Sequence, residues 1–227
     1  MTQPELAFFD LDERRFAYRL RPGRSPTLVF LPGYASDMEG AKALALDAFA
    51  AERGVAMLRL DYSGTGSSGG RVEDGTLALW LKEVLAAVDR LTEGPLVVIG
   101  SSMGGWLALH VALLRPERVP ALVGIAAAPD FTEWGVERGS GGLTPAFRAS
   151  GHELRLLDGE IAIDCPVRLI HGDVDPDVPL DIAFRTMRAL RSADVQLVVV
   201  KDGGHRLSEP REIDAILRLV AGLLETP

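Results

Sequence analysis

Residues 96–110 read LVVIGSSMGGWLALH. The first four are apolar without a break, as in a strand buried on both faces. Beyond them Met103, Trp106, Leu107, His110, Val111 and Leu114 follow the spacing of one helix face, and Arg115-Pro116 stops that helix. Only Gly100, Ser101 and Ser102 separate strand from helix. A turn this tight needs very small flanking residues, and it pushes Ser102 out over the sheet at the helix N-terminus. There the Met103 N–H and the helix dipole favour a developing oxyanion. The spacing G-x-S-x-G therefore fits a serine nucleophile at position 102.

Outward from this stretch the same alternation continues. Apolar runs at residues 28–31, 55–60, 121–126, 167–170 and 195–200 read as buried strands, with 16–20 as an edge strand. Helical periodicity covers 77–91, 182–190 and 213–224. Strands alternating with helices predict an α/β fold, a mostly parallel twisted sheet with helices on both faces. Sites in such sheets lie at the carboxyl ends of the strands. Residues 130–164 break the rhythm, holding Trp134 and a short helical pattern near 145–150. A long excursion inside a compact domain predicts a lid, here a short cap inserted after the sixth strand of a single domain spanning 1–227.

Composition narrows the classes. With 227 residues, 47% hydrophobic and 25% charged, the chain suits one globular domain and not a disordered or fibrous one. Cys165 is its only cysteine, which excludes a disulfide scaffold. The 24 basic and 32 acidic residues give a formal charge of −8, which argues against nucleic acid or anionic membrane as partners. The longest apolar run, 106–114, is broken by His110, so no membrane span is expected. The first residues, MTQPELAFFDLDERR, lack a signal or transit pattern, so the expected compartment is the cytoplasm. No His, Cys and acid cluster has metal-ligand spacing, and no cofactor is expected.

Two lookalikes occupy one loop. Gly66-Ser67-Ser68-Gly69-Gly70 also matches G-x-S-x-G, but no strand directly precedes it and no helix directly follows. Gly64, Gly66 and Gly69 match the dinucleotide fingerprint, yet residues 71–75 intervene before the next helix.

A serine nucleophile needs a histidine base oriented by a carboxylate. Of the four histidines, His110 sits mid-helix, His152 lies in the expected cap, and His171 ends a strand. His205 follows the strand at 195–200 and precedes the last helix, which suits the chain order Ser, acid, His. For the acid, Asp173, Asp175 and Asp177 share one loop and Asp130 lies in another, and spacing does not choose among them. The loop Pro32-Gly33-Tyr34 follows the strand at 28–31, so the Tyr34 N–H joins that of Met103 as an expected oxyanion donor. Trp106, Phe131, Trp134, Leu143 and Phe147 are the candidate lining of an apolar acyl site, each equally suited to core packing.

The segments VFLPGYASDMEGAKA (29–43), RLDYSGTGSS (59–68), GSSMGGWLALH (100–110), CPVRLIHGDVDPDVP (165–179) and His205-Arg206 together resemble the α/β-hydrolases of the acyl-glucuronide esterase and acyl-protein thioesterase family. The resemblance implies Ser102 as nucleophile and His205 as base. Its pattern H-G-x-x-D-x-x-V-P, at His171 to Pro179, places the acid at Asp175. The short cap and the missing presequence imply a bacterial-type member. The expected chemistry is hydrolysis of a carboxylic ester or thioester carried by a small molecule or an acylated protein. A C–C bond hydrolase or perhydrolase would keep the same triad, and a non-catalytic ligand receptor or scaffold on this fold is the rival of another class.

Overall fold

A computed structural model describes residues 2–135 and 142–225. Eight strands form one sheet in the order β1-β2-β4-β3-β5-β6-β7-β8. They are β1 (Ala7–Leu11), β2 (Arg14–Arg21), β3 (Arg24–Leu31), β4 (Val55–Leu60), β5 (Leu96–Ser101), β6 (Ala121–Ile125), β7 (Val167–Gly172) and β8 (Val195–Val200). Strands β3 to β8 run parallel, and β1 and β2 join antiparallel at one side.

The continuous apolar runs follow from burial on both faces, because successive side chains point to opposite sides. Val29, Leu31, Leu96 and Val98 enter one core with helices α2 (Leu77–Leu91) and α3 (Met103–Leu114). Leu28, Phe30, Val97 and Ile99 enter the other with α1 (Ala41–Arg53) and α7 (Pro210–Glu225). Helix α6 (Leu180–Ala189) packs on β7 and β8.

Two expectations are corrected, and two elements are added. The segment at 16–20 is not an edge strand, because β1 pairs outside it. Strand β1 and helix α1 have no counterpart among the expected elements. Helix α3 is not buried along one stripe only: Ala108, Leu109 and Ala112 are buried too, while Leu114, at the end of the stripe, is 47% exposed. A helix that is apolar all round is a buried one, and α3 lies between the sheet and α2.

Between β6 and β7 the chain forms α4 (Phe131–Trp134) and α5 (Pro145–Glu153), which pack on each other and, through α5, on α2. Thr144 caps α5 by accepting from the Phe147 N–H, with Pro145 in the first turn. The Ser150 hydroxyl accepts from the Ala78 N–H at the start of α2. Asp130 ties the ends of the excursion together by accepting from Leu156 and Leu157 N–H at 2.9 and 2.7 Å. Residues 136–141 of the expected cap lie outside the described residues.

Candidate active site

The site is built at the carboxyl end of β5. Ser102 has φ +54° and ψ −120°, a conformation that costs a non-glycine residue ~1–3 kcal/mol. The surroundings hold it there. A Cβ on Gly100 would lie 2.1 Å from the Gly104 carbonyl oxygen, and one on Gly104 would lie 2.0 Å from that of Leu31. Only glycine permits this approach of α3 to β5 and β3. The Ser102 N–H donates to the Ile125 oxygen at 2.9 Å, and its carbonyl accepts from Ala128 N–H at 3.1 Å. The elbow is thereby fastened to the end of β6.

Two further loops meet the serine hydroxyl. The loop after β8 brings His205 Nε2 to 3.0 Å from Ser102 Oγ, and the loop after β7 brings Asp175 Oδ2 to 2.8 Å from His205 Nδ1. With an acceptor at Asp175, the His205 proton is assigned to Nδ1, and Nε2 accepts from the serine hydroxyl. Asp175 Oδ1 accepts from the Asp177 and Val178 N–H groups, each at 2.8 Å. Burial pushes the Asp175 carboxyl up, but the hydrogen bonds from His205 and these amides outweigh it and hold the group below its ordinary value. It therefore stays ionised at neutral pH.

His171 supports this loop from beneath. Its Nε2 donates to the Val178 oxygen at 3.0 Å and lies 3.4 Å from Asp175 Oδ2. Burial lowers its pKa, so it sits neutral in the wall. The other acids are placed elsewhere: Asp173 is exposed, and Asp130 serves the Leu156 and Leu157 amides. Asp177 approaches most closely. One oxygen from each of Asp175 and Asp177 and one His205 nitrogen lie within 4.8 Å of one another. Asp175 and His205 are already bonded to each other, so the trio is a hydrogen-bonded chain with a neighbouring carboxylate, not a set of free metal ligands.

The loop after β3 closes the site. A Cβ on Gly33 would stand 3.3 Å from Ser102 Cβ and 3.9 Å from its Oγ. The Tyr62 hydroxyl donates to the Pro32 oxygen at 2.9 Å and fixes this loop. Among the described residues, neither the Tyr34 nor the Met103 N–H has an acceptor, so both remain open to a ligand.

Two cavities share Ser102, Tyr34 and His205. The smaller, about 200 Å³, adds Met103, Ala128, Phe131, Trp134 and Val178 to its lining. The larger, about 670 Å³, adds the charged groups Asp37, Lys42 and Arg206, to which the sequence assigns no role. Of the apolar candidates, Phe131 and Trp134 line the small cavity. Trp106, Leu143 and Phe147 do not, because they are buried behind it. Trp106 donates to the Leu154 oxygen at 3.1 Å and packs edge-on against Phe131, and Phe147 packs against Tyr34, Trp80 and Phe131.

The lookalike loop has a structural task. The Ser68 hydroxyl donates to the Asp61 carbonyl and accepts from the Ala17 N–H, both at 2.7 Å. Asp61 in turn accepts from Met38 and Ser67 N–H, and Gly66, at φ +49°, leaves no room for a Cβ beside that carboxylate. Ser68→Ala is therefore expected to cost ~1–3 kcal/mol of unfolding free energy while leaving kcat unchanged. Chemical denaturation and ester turnover on the same preparation check both. Burial pushes the Cys165 thiol up to about 11, which leaves it protonated and unreactive at neutral pH.

Residues 26–151 match the alpha/beta hydrolase fold family. The chain belongs to the α/β-hydrolases. It is 36% identical to the human protein named palmitoyl-protein thioesterase ABHD10, mitochondrial, over 94% of this chain and 78% of that protein. Mouse alpha/beta hydrolase domain-containing protein 10 superimposes with a TM-score of 0.91 at 35% identity, covering 97% of this chain and 98% of the mouse chain. Est1E from Butyrivibrio proteoclasticus, solved with ferulic acid, gives a TM-score of 0.84 at 22% identity, covering 96% of this chain and 97% of that one, a likeness of fold. The mammalian relatives are named mitochondrial, which sits poorly with the cytoplasmic expectation for this α/β-hydrolase. Among the described residues no helix is long and apolar enough to cross a membrane.

Proposed function

We propose that this α/β-hydrolase is a serine esterase or thioesterase acting through an acyl-enzyme intermediate, with Ser102 as nucleophile, His205 as base and Asp175 as the acid that orients it. The supporting observation is the unbroken chain from Ser102 Oγ to His205 Nε2 at 3.0 Å and from His205 Nδ1 to Asp175 at 2.8 Å. His205 takes the serine proton as Oγ bonds to the substrate carbonyl carbon. The carbonyl oxygen becomes an oxyanion facing the Tyr34 and Met103 N–H groups, a role worth ~3–4 kcal/mol per donor. As the carbon–oxygen or carbon–sulfur bond breaks, His205 returns the proton to the departing atom. Water then gives its proton to His205, attacks the acyl-serine, and releases the carboxylic acid and the free serine. The whole chain, 1–227, works as one domain in this proposal, with residues 130–164 as a short cap over the acyl side.

Turnover of p-nitrophenyl esters and acyl thioesters by the purified protein is the direct test, and a folded protein inert on both panels refutes the assignment. Asp175→Asn is expected to lower kcat by about 10⁴-fold, because the amide presents its N–H₂ toward Nδ1 and disfavours the working tautomer. The smaller cavity, at about 200 Å³, lies below the roughly 300–1,000 Å³ of pockets that enclose drug-sized ligands. This supports a short acyl group in place of the palmitoyl named for the mammalian relatives. p-Nitrophenyl acetate or butyrate is expected to exceed the palmitate in kcat/KM by about 100-fold or more. Equal turnover of the palmitate would place the acyl chain elsewhere.

A further inference from the structure

The two cavities that meet at Ser102 and His205 differ in the residues that line them. Met103, an oxyanion-donor candidate, lines only the small cavity, together with Phe131 and Trp134. Arg206 and Ser208, on the same loop as His205, line only the large one. His205 itself faces both.

Beyond the elbow, Tyr34 and His205, the charged and hydroxyl lining of the large cavity is Ser36, Asp37, Lys42, Asp177, Arg206 and Ser208. Asp37 accepts from the Glu39 N–H at 2.9 Å and belongs to its own turn. Asp177 lines both cavities and so marks their junction beside His205. Lys42 and Arg206 line the large cavity alone. The Lys42 ammonium donates to the Arg206 carbonyl, which joins the first turn of α1 to the His205 loop. Among the described residues neither cation has an ion-pair partner. Glu212 lies near enough to influence Lys42, but its carboxylate accepts from the Glu209 N–H at 2.9 Å. Half-buried Lys42 and exposed Arg206 thus present two unpaired positive charges to a cavity of about 670 Å³ in a protein of net charge −8. A substrate anion there would gain charge-assisted hydrogen bonds without displacing a carboxylate already paired with either cation.

With the acyl group read into the smaller cavity, we propose that the leaving half of the substrate occupies the larger one and that Lys42 and Arg206 form a specificity clamp there for an anionic group it carries, a carboxylate or a phosphate. This rests on the assignment of Ser102 and His205 made above.

The test compares three acetyl esters that differ only in the group para to the departing phenol: 4-acetoxybenzoate, 4-acetoxyphenyl phosphate and neutral 4-acetoxybenzamide. Each rate is normalised to hydroxide-catalysed hydrolysis to remove leaving-group electronics. At low salt, kcat/KM for one or both anions is expected to exceed that for the amide by about tenfold, with the preference carried by KM and eroded by added sodium chloride. The preferred anion identifies the carboxylate or the phosphate as the group recognised. Lys42→Met and Arg206→Gln are each expected to reduce the anion-to-amide ratio by about fivefold, and Lys42→Arg to keep most of it. A ratio cancels any general loss of turnover, and Arg206, being exposed, is replaced without disturbing the core. A ratio near one for both anions, or a ratio that neither substitution moves, overturns the clamp. If the amide is hydrolysed well in that case, the serine hydrolase assignment stands while the clamp fails. If none of the three esters is hydrolysed by folded protein, both fail together.

Discussion

Ser102→Ala is expected to lower ester turnover by about 10⁶-fold while leaving the thermal midpoint close to that of the parent protein. The size follows from the chemistry. Without Oγ there is no atom to form the acyl-enzyme, and His205 is left with a methyl group where it had a hydroxyl at 3.0 Å. What remains comes from the open Tyr34 and Met103 amides and from substrate binding. Stability changes little because alanine at φ +54° bears the same backbone strain as serine, and the lost hydroxyl had only His205 as a partner. Progress curves with p-nitrophenyl acetate, corrected for the uncatalysed rate, and a thermal melt on the same samples measure both. A residual activity within tenfold of the parent would mean that a different group attacks.

The second large effect lies in the packing beneath the nucleophile. A Cβ at Gly104 would sit 2.0 Å from the Leu31 oxygen and 2.5 Å from that of Pro32. Both obstacles are backbone, so no rotamer relieves the clash. Gly104→Ala is expected to destabilise the fold by about 3 kcal/mol, the upper part of the range for overpacked cores. It forces α3 from the end of β3 and so displaces the Pro32–Tyr34 loop that carries a proposed oxyanion donor. A further loss of about 10²–10³ in kcat is expected in the fraction that remains folded. Gly159→Ala, where nothing lies within 4 Å of the added carbon, is expected to stay within about 0.5 kcal/mol of the parent. Urea unfolding of the two variants, with kcat measured at low denaturant, makes the comparison. Unchanged stability in Gly104→Ala would show that the elbow tolerates a looser seat.

Most of the architecture is legible in the chain because its strands are buried on both sides and so carry unbroken apolar runs. Strand β1 (AFFDL) does not, since only Leu11 in it is buried and Phe8 and Asp10 face water. Helix α1 escapes notice for a different reason. Its buried face is Ala43, Leu46, Asp47, Phe49 and Ala50, and two alanines and an aspartate give little contrast with the exposed side. The Asp47 carboxylate is buried there against Arg21, a pairing that joins residues far apart in the sequence.

The candidate site divides in the same way. Ser102 and His205 stand out because each occupies a distinctive strand-end loop. The acid does not, because Asp173, Asp175 and Asp177 lie within one turn. Backbone direction settles their placement: Asp175 turns inward to His205 and accepts from two amides of its own loop, while Asp173 and Asp177 stay exposed. The large cavity is the least legible part, since it forms only when the turn before α1 meets the loop after β8. Neither segment alone carries a ligand-binding pattern. The aromatic candidates show the converse limit, for helical spacing does not separate Trp106, which anchors the Leu154 carbonyl, from Trp134, which faces the small cavity.

The central claim is that Ser102 is an activated nucleophile. Treating the purified protein with a fluorophosphonate probe, alongside Ser102→Ala, and mapping the modified residue by mass spectrometry tests it most directly. The expected result is one stoichiometric adduct on Ser102, absent from the variant. An adduct on Ser68, or no adduct on folded protein, would contradict it.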